Sequence, residues 1–164
     1  MNDHDKSKQE LIRELEALRR ENRQLKKALA GQGAGPGRGY GKTIMVVDDN
    51  DGARELVADM MEELGYEPVE AATAGDAVAM VSKDPGRIDL VITDIVMPGA
   101  DGPEMIEDIL AIRKDIKVIF MSGYAEDEIV HDSVYRIQDT CAAFIKKPFS
   151  LAEIDSLIRD QIDP

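Results

Sequence analysis

The chain lacks tryptophan, and its 164 residues include a single cysteine, Cys141. One cysteine cannot close an intrachain disulfide, so a secreted disulfide scaffold is excluded and a reducing cytoplasm fits. No run approaches the ~20 consecutive apolar residues that cross a bilayer, and the first residues lack the apolar core of a signal peptide. We therefore expect a cytoplasmic protein that has no membrane partner.

Positive charge is scarce in most of the chain. Residues 1–41 hold nine Lys/Arg and six Asp/Glu, whereas the remainder holds 11 and 27, which together give the net charge of −13. An acidic globular region repels phosphate backbones, so we expect no nucleic-acid partner. A leucine-zipper DNA binder also needs a basic region before its leucines, and only Lys6 and Lys8 stand there.

Four short apolar runs each end in a polar residue of a kind used in phosphate chemistry. In chain order these residues are Asp48 with Asp49, Asp94, Ser122 and Lys147. Each run is typical of a buried parallel strand, and the carboxyl ends of such strands meet at one edge of the sheet. Three carboxylates, a hydroxyl and an ammonium in one cleft predict a magnesium and phosphoryl site.

Strands and helices alternate over the second part of the chain. The pattern predicts strands at about 43–47, 67–71, 88–93, 117–121 and 142–146, and helices near 51–64, 74–83, 103–113, 125–137 and 150–161. Such alternation indicates a doubly wound α/β fold, a five-stranded parallel sheet with helices on both faces. Ligands bind beyond the carboxyl ends of the strands in this fold, which is where the polar residues stand.

These stretches resemble the receiver domain of two-component response regulators, which has a flavodoxin-like, CheY-like fold. The resemblance covers about residues 42–162, and four motifs in the family's order carry it. They are Val46-Val47-Asp48-Asp49-Asn50, Asp94-Ile95-Val96-Met97-Pro98-Gly99-Ala100-Asp101-Gly102, Phe120-Met121-Ser122-Gly123-Tyr124-Ala125 and Lys147-Pro148-Phe149.

The resemblance implies a role for each site residue. Asp94 is expected to be the phosphoacceptor, while Ser122 contacts the phosphoryl group and Lys147 pairs with it. Magnesium is expected to be held by Asp48, Asp49, Asp94 and the backbone carbonyl of Val96. Elementary chemistry supports these roles, because a carboxylate attacks an anionic phosphoryl group poorly unless cations screen the repulsion.

The resemblance also implies a switch and a lifetime. After transfer, Ser122 moves towards the new phosphoryl oxygens and Phe144, three residues before Lys147, turns inward. The alternative interpretation of Phe144 is an ordinary core residue that takes no part in switching. Val96 and Tyr124 flank the route of the hydrolytic water and carry no carboxylate or amide to orient it, so we expect self-dephosphorylation to take minutes or longer.

Some of these residues also have simpler interpretations. Asp48, Asp49 and Asn50 after a strand are typical of a turn and a helix N-cap. Ser122 before a glycine is typical of an ordinary turn. Gly102 is interpreted as a residue that shapes the loop after Asp94 and does no chemistry. Only the combination of the four motifs favours the phosphoryl site over these alternatives.

Residues 5–30 are predicted to form a coiled-coil helix, followed by a flexible Gly-rich linker over residues 31–41 and the receiver domain over 42–162. Asn22 takes an a position, which favours a two-stranded parallel homodimer through residues 11–29. The alternative is a lone amphipathic helix docked on another surface. The seam consists of residues spaced alternately by four and three, namely Leu11, Leu15, Leu18, Asn22, Leu25 and Leu29.

The leading hypothesis is a phosphorylation-controlled switch without a separate output domain, and not an enzyme acting on other substrates. Its expected partners are a sensor histidine kinase or a histidine phosphotransfer protein and a downstream protein target. The alternatives are a structural dimeric adaptor with a receiver that is not phosphorylated, and a receiver fragment of a hybrid histidine kinase. A haloacid-dehalogenase-like phosphohydrolase is disfavoured, because it needs an aspartate at Val96.

Overall fold

The computed structural model describes residues 41–97, 102–123 and 142–162, together with Glu10, Ala17 and Glu21. In these ranges strands alternate with helices, and the five strands form one parallel sheet in the order β2-β1-β3-β4-β5. The elements are β1 (Thr43–Val47), α1 (Asp51–Leu64), β2 (Glu67–Ala71), α2 (Ala74–Lys83), β3 (Leu90–Asp94), α3 (Gly102–Ile112), β4 (Lys117–Ser122), β5 (Ala142–Lys146) and α4 (Leu151–Ile162).

The sheet is covered on both faces, as the sequence predicted. Alternate residues of each central strand point to opposite sides, so Met45 and Val47 join one apolar cluster while Ile44 and Val46 join the other. Helices α2 and α3 pack on the first side, through residues such as Ala77 and Ile106. Helices α1 and α4 pack on the second side through Val57, Met61, Ile154 and Ile158. The doubly wound fold is therefore confirmed.

Helix boundaries follow from local capping chemistry. Helix α1 begins after Asn50, whose side chain accepts a hydrogen bond from the amide of Ala53 at 3.0 Å. It ends at Leu64 and is followed by Gly65, whose φ of 89° is the left-handed conformation that glycine adopts without strain. Helix α4 begins after Ser150, whose amide donates to the Glu153 carboxylate at 2.7 Å while its hydroxyl accepts from the Glu153 amide at 3.3 Å.

The predicted boundaries agree with the structure for β1, β2, β5, α1 and α2. Strand β3 runs from Leu90 to Asp94, so it begins two residues later and ends one residue later than predicted. At its start the amide of Thr43 in β1 donates to the side chain of Asp89 at 2.8 Å. Helices α3 and α4 are displaced by one residue from their predicted limits. The helix predicted near 125–137 lies outside the described residues.

The predicted coiled coil and linker also fall mostly outside the described residues. Glu10, Ala17 and Glu21 have helical backbone, and Gly41 at the end of the predicted linker has a φ of 83°. The homodimer through residues 11–29 therefore stays a prediction. Among the helices that the structure describes, none is both long and apolar enough to cross a bilayer.

Candidate functional site

Three of the predicted polar residues meet at the carboxyl edge of the sheet. Asp48 follows β1, Asp94 is the last residue of β3, and Lys147 follows β5. The Nζ atom of Lys147 lies 2.6 Å from Asp94 Oδ2 and 3.4 Å from Asp48 Oδ2. Strand β4 lies between β3 and β5, so the long lysine side chain reaches across it to contact both carboxylates.

In both Asp48 and Asp94, one carboxylate oxygen accepts a hydrogen bond from a backbone amide and the other contacts Lys147. Asp48 Oδ1 accepts from the amide of Asn50 at 2.9 Å, and Asp94 Oδ1 accepts from the amide of Ile95 at 2.8 Å. The other oxygen of each faces Lys147. A carboxylate that accepts a backbone amide bond has a fixed orientation, so the two Oδ2 atoms are held towards one point.

Opposing effects act on the pKa of Lys147. Partial burial by itself lowers the pKa of this ammonium, but the hydrogen bond and the charge of Asp94, helped by Asp48, outweigh that effect and raise the pKa above its ordinary value. Lys147 therefore stays a cation at neutral pH. Its side chain is 31% exposed, so this residue is reachable from solvent at the edge of the sheet.

The remaining predicted site residues lie on the same edge. Ser122 ends β4, and its carbonyl accepts from the amide of Lys147 at 2.8 Å, which fixes the backbone that carries the lysine. Asp49 is exposed directly after Asp48, and Val96 is 40% exposed two residues after Asp94. Tyr124 lies outside the described residues. The roles predicted for these side chains stay predictions.

The donor set fits magnesium by its chemistry. Asp48, Asp49 and Asp94 would supply carboxylate oxygens and Val96 would supply a carbonyl oxygen, the hard ligands that Mg²⁺ prefers. Over residues 41–97, 102–123 and 142–162, no three Asp, Glu, His or Cys side chains already converge as metal ligands. The Lys147 ammonium contacts the carboxylates of both Asp48 and Asp94, so a bound cation would share these two carboxylates with it.

Phe144, the predicted switch residue, is half-buried in β5. It is directly opposite Phe120 of β4, and the two rings stack with centroids 5.4 Å apart and planes 17° apart. Offset stacking of this kind adds to the stability gained by burial. The structure thus gives Phe144 a defined packing partner, which the sequence pattern alone did not identify.

Two further residues contact the backbone beside the site; a loop-shaping role was predicted from the sequence for Gly102, and no role for Arg54. Arg54, in the first turn of α1, donates from Nη1 to the carbonyl of Asp48 at 2.8 Å. Gly102, the first residue of α3, donates its amide to the carbonyl of Ile95 at 2.9 Å. A Cβ atom at Gly102 would overlap the carbonyl oxygen of Asp94. The sequence contained a signal for the Arg54 contact, because this arginine lies one turn into the predicted helix and can reach back to Asp48.

Comparison with known proteins gives a consistent result. The family model described as response regulator receiver domain matches residues 44–159. Sporulation initiation phosphotransferase F of Bacillus subtilis (strain 168) is 32% identical over 116 residues, which are 71% of this chain and 90% of that protein. Sensor kinase CckA of Brucella abortus (strain 2308) is 32% identical over 121 residues, which are 74% of this chain but only 12% of the kinase.

The solved structures agree with these sequence relatives. A CheY-like response regulator receiver domain protein from Methanospirillum hungatei JF-1 superposes with a TM-score of 0.65 at 30% identity, covering 74% of this chain and 94% of that chain. The receiver domain of the hybrid histidine kinase CckA superposes with a TM-score of 0.61 at 26% identity, covering 74% of this chain and 99% of that one.

Proposed function

Because the chain belongs to the response regulator receiver domain family, we propose that it is a signalling switch in which Asp94 accepts a phosphoryl group. The donor would be a phosphohistidine of a sensor kinase or of a histidine phosphotransfer protein. The observation that carries this proposal is the convergence of Asp94, Asp48 and Lys147 at the carboxyl edge of the sheet, with Lys147 Nζ 2.6 Å from Asp94.

The transfer step uses the side chains in distinct ways. A carboxylate oxygen of Asp94 attacks phosphorus, an O–P bond forms, the N–P bond of the phosphohistidine breaks, and the imidazole leaves with the bonding electron pair. Nucleophile and phosphoryl group are both anions, so their approach is unfavourable without nearby positive charge. Lys147 supplies a fixed cation in contact with Asp94. Magnesium held by Asp48, Asp49, Asp94 and the Val96 carbonyl would supply a second.

The response to phosphorylation would travel through β4 and β5. Ser122 ends β4, and its carbonyl accepts a hydrogen bond from the amide of Lys147, so movement of either residue would displace the other. Phe144 stacks on Phe120 in the next strand and would change its packing when Ser122 moves. We propose that the switched surface comprises β5, α4 and the segment near 125–137, the last of which lies outside the described residues.

The lifetime of the phosphorylated state is part of the same proposal. The exposed Val96 side chain carries no group able to orient the water that would hydrolyse the acyl phosphate. We therefore expect decay over minutes or longer, measured as loss of the phosphorylated mass after the donor is removed. Decay within seconds in the presence of magnesium would contradict this expectation.

Residues 11–29 are proposed to join two copies of the chain as a parallel homodimer, because their leucine seam and Asn22 fit a two-stranded coiled coil. The cytoplasm is the proposed location, since the single cysteine fits a reducing compartment. A downstream protein target would read the switched surface. Sedimentation equilibrium with and without residues 1–36 tests the dimer, and a monomeric full chain would contradict it.

The proposal is tested by intact mass after incubation with acetyl phosphate and magnesium. Wild type should gain the mass of one phosphoryl group, and Asp94→Asn should gain none. The matched control is Asp89→Asn, which removes a carboxylate that is paired with Lys42 at 3.2 Å at the opposite edge of the sheet. That variant should be phosphorylated as wild type is. No mass gain in folded wild type, or an equal gain in Asp94→Asn, would overturn the proposal.

A further inference from the structure

Arg54 makes three polar contacts with three different parts of the fold. Its Nη1 donates to the carbonyl of Asp48 at 2.8 Å, its Nη2 lies 2.6 Å from Asp51 Oδ1, and its Nε lies 3.5 Å from Glu70 Oε2. These partners belong to the turn after β1, the first turn of α1, and β2. The Arg54 side chain is only 13% exposed, so the guanidinium is held among them.

We propose that Arg54 is a positioning residue that fixes the turn carrying Asp48 and Asp49 in the conformation that binds a divalent cation. This inference rests on the magnesium site of the proposed function. Arg54 would act through the backbone and would touch neither the cation nor the phosphoryl group.

The contact between Arg54 and the Asp48 carbonyl is the one that supports a positioning role. That carbonyl belongs to the peptide unit joining Asp48 to Asp49, and a peptide unit is rigid and planar. Holding its oxygen therefore fixes the direction in which the chain enters Asp49. The side chain of Asp48 is already fixed by the amide of Asn50 and by Lys147. Asp49 is exposed, and its backbone lies between two held peptide units, one bonded to Arg54 through the Asp48 carbonyl and the other bonded to Asp48 Oδ1 through the Asn50 amide.

Arginine suits this position because its guanidinium is planar and presents five N–H donors in a fixed arrangement. One such group can bind a carbonyl and two carboxylates at once, whereas the ammonium of a lysine is a point charge on a flexible stem. The charge of Arg54 by itself repels a metal cation. Loss of charge and loss of positioning therefore change cation affinity in opposite directions, and the sign of the change separates them.

The experiment is direct titration of Mg²⁺ by calorimetry on the full-length protein, using Arg54→Met, Arg54→Lys and the control Arg113→Met. Arg113 is also partly buried and donates to backbone carbonyls, those of Pro85 at 3.0 Å and Ile88, but at the opposite edge of the sheet. Groups that orient metal ligands typically change affinity by about 10–100-fold when removed. We expect Arg54→Met to weaken Mg²⁺ binding by about tenfold.

The companion variants separate positioning from general destabilisation. Arg54→Lys keeps the charge that repels the cation but not the three-way contact, so it should weaken Mg²⁺ binding at least as much as Arg54→Met. Arg113→Met should lower the urea midpoint while leaving the Mg²⁺ affinity within twofold of wild type, roughly the precision of the titration. If Arg54→Met does not fold, the comparison of Arg54→Lys with Arg113→Met decides the question.

Tighter Mg²⁺ binding in Arg54→Met would mean that the charge of Arg54 dominates, and this result would overturn the proposal. Affinity equal to that of Arg113→Met would reduce Arg54 to a structural role and would overturn it as well. If wild type binds no Mg²⁺, there is no cation site for Arg54 to position, and the proposal is overturned. The phosphorylation assay is separate, so wild type that binds Mg²⁺ but gains no phosphoryl mass would refute the proposed function alone.

Discussion

Gly102→Ala is the substitution for which the structure makes the most unusual prediction. In the first turn of a helix, replacing glycine by alanine normally favours folding by up to ~1 kcal/mol, because the backbone of alanine loses less entropy. Here the added Cβ would overlap the carbonyl oxygen of Asp94 and would lie 3.1 Å from the carbonyl oxygen of Ile95. Both are backbone atoms and cannot rotate away, so the start of α3 has to move from the end of β3.

The magnitude follows from three terms. Forcing an extra carbon into a packed site costs about 1–3 kcal/mol. Movement of α3 away from β3 also weakens the hydrogen bond from the Gly102 amide to the Ile95 carbonyl, a loss of about 1 kcal/mol. The helix-propensity gain of up to ~1 kcal/mol offsets one of these terms. The net expectation is a loss of about 2 kcal/mol in the free energy of unfolding.

Urea unfolding followed by circular dichroism measures this loss, with Gly75→Ala as the matched control. Gly75 is a helical glycine in α2, and a Cβ there would find its nearest atom, Thr73 Oγ1, at 3.9 Å. The control should be as stable as wild type or up to ~1 kcal/mol more stable. Displacement of the Asp94 backbone should also slow phosphorylation by acetyl phosphate by about tenfold or more. Equal stability of the two alanine variants would refute the reasoning.

Three other substitutions test the site and its surroundings. The folded-state pKa of Lys147 lies above its ordinary value of 10.5, so its stabilising contribution is complete below that pH and is lost as pH rises through the folded pKa. In urea titrations above pH 10.5, the free energy of unfolding should therefore fall less steeply with pH in Lys147→Met than in wild type. Equal slopes for the two proteins would contradict this. Phe144→Leu keeps an apolar side chain but removes the ring stacked on Phe120, so unfolding should require about 0.5–1.5 kcal/mol less, whereas no change would mean that the stack adds nothing. Magnesium at tenfold above its dissociation constant should stabilise wild type by about 1.4 kcal/mol, and Asp48→Asn should lose most of that gain. An undiminished gain in Asp48→Asn would place the cation elsewhere.

The fold could be predicted from the sequence because its signals are local. The central strands are buried on both faces, so β1 and β4 appear as uninterrupted apolar runs with polar residues at their carboxyl ends. Helix starts were marked by capping residues such as Asn50, and the end of α1 was marked by Gly65. The start of β3 was predicted two residues early, because Ile88 is a buried apolar residue although it precedes the strand.

The arrangement within the site was less predictable, because it depends on contacts between residues far apart in the chain. Sequence patterns identified Asp48, Asp94 and Lys147 as neighbours, but not that the ammonium contacts both carboxylates. The tight contact at Gly102 depends on how closely α3 approaches β3, which the residue pattern does not determine. The contact of Arg54 with the Asp48 carbonyl is local in sequence, yet the choice of that partner depends on the turn geometry.

The most direct test of the central claim is to identify the residue that carries the phosphoryl group. Borohydride reduces an acyl phosphate to an alcohol, so a phosphorylated aspartate becomes homoserine and can be located by tandem mass spectrometry. Trypsin releases residues 88–113 as one peptide, which contains Asp89, Asp94, Asp101 and Asp108. We predict homoserine at position 94 alone, and only after incubation with acetyl phosphate and magnesium. Homoserine at Asp48, at Asp49 or at another aspartate of this peptide would contradict the account.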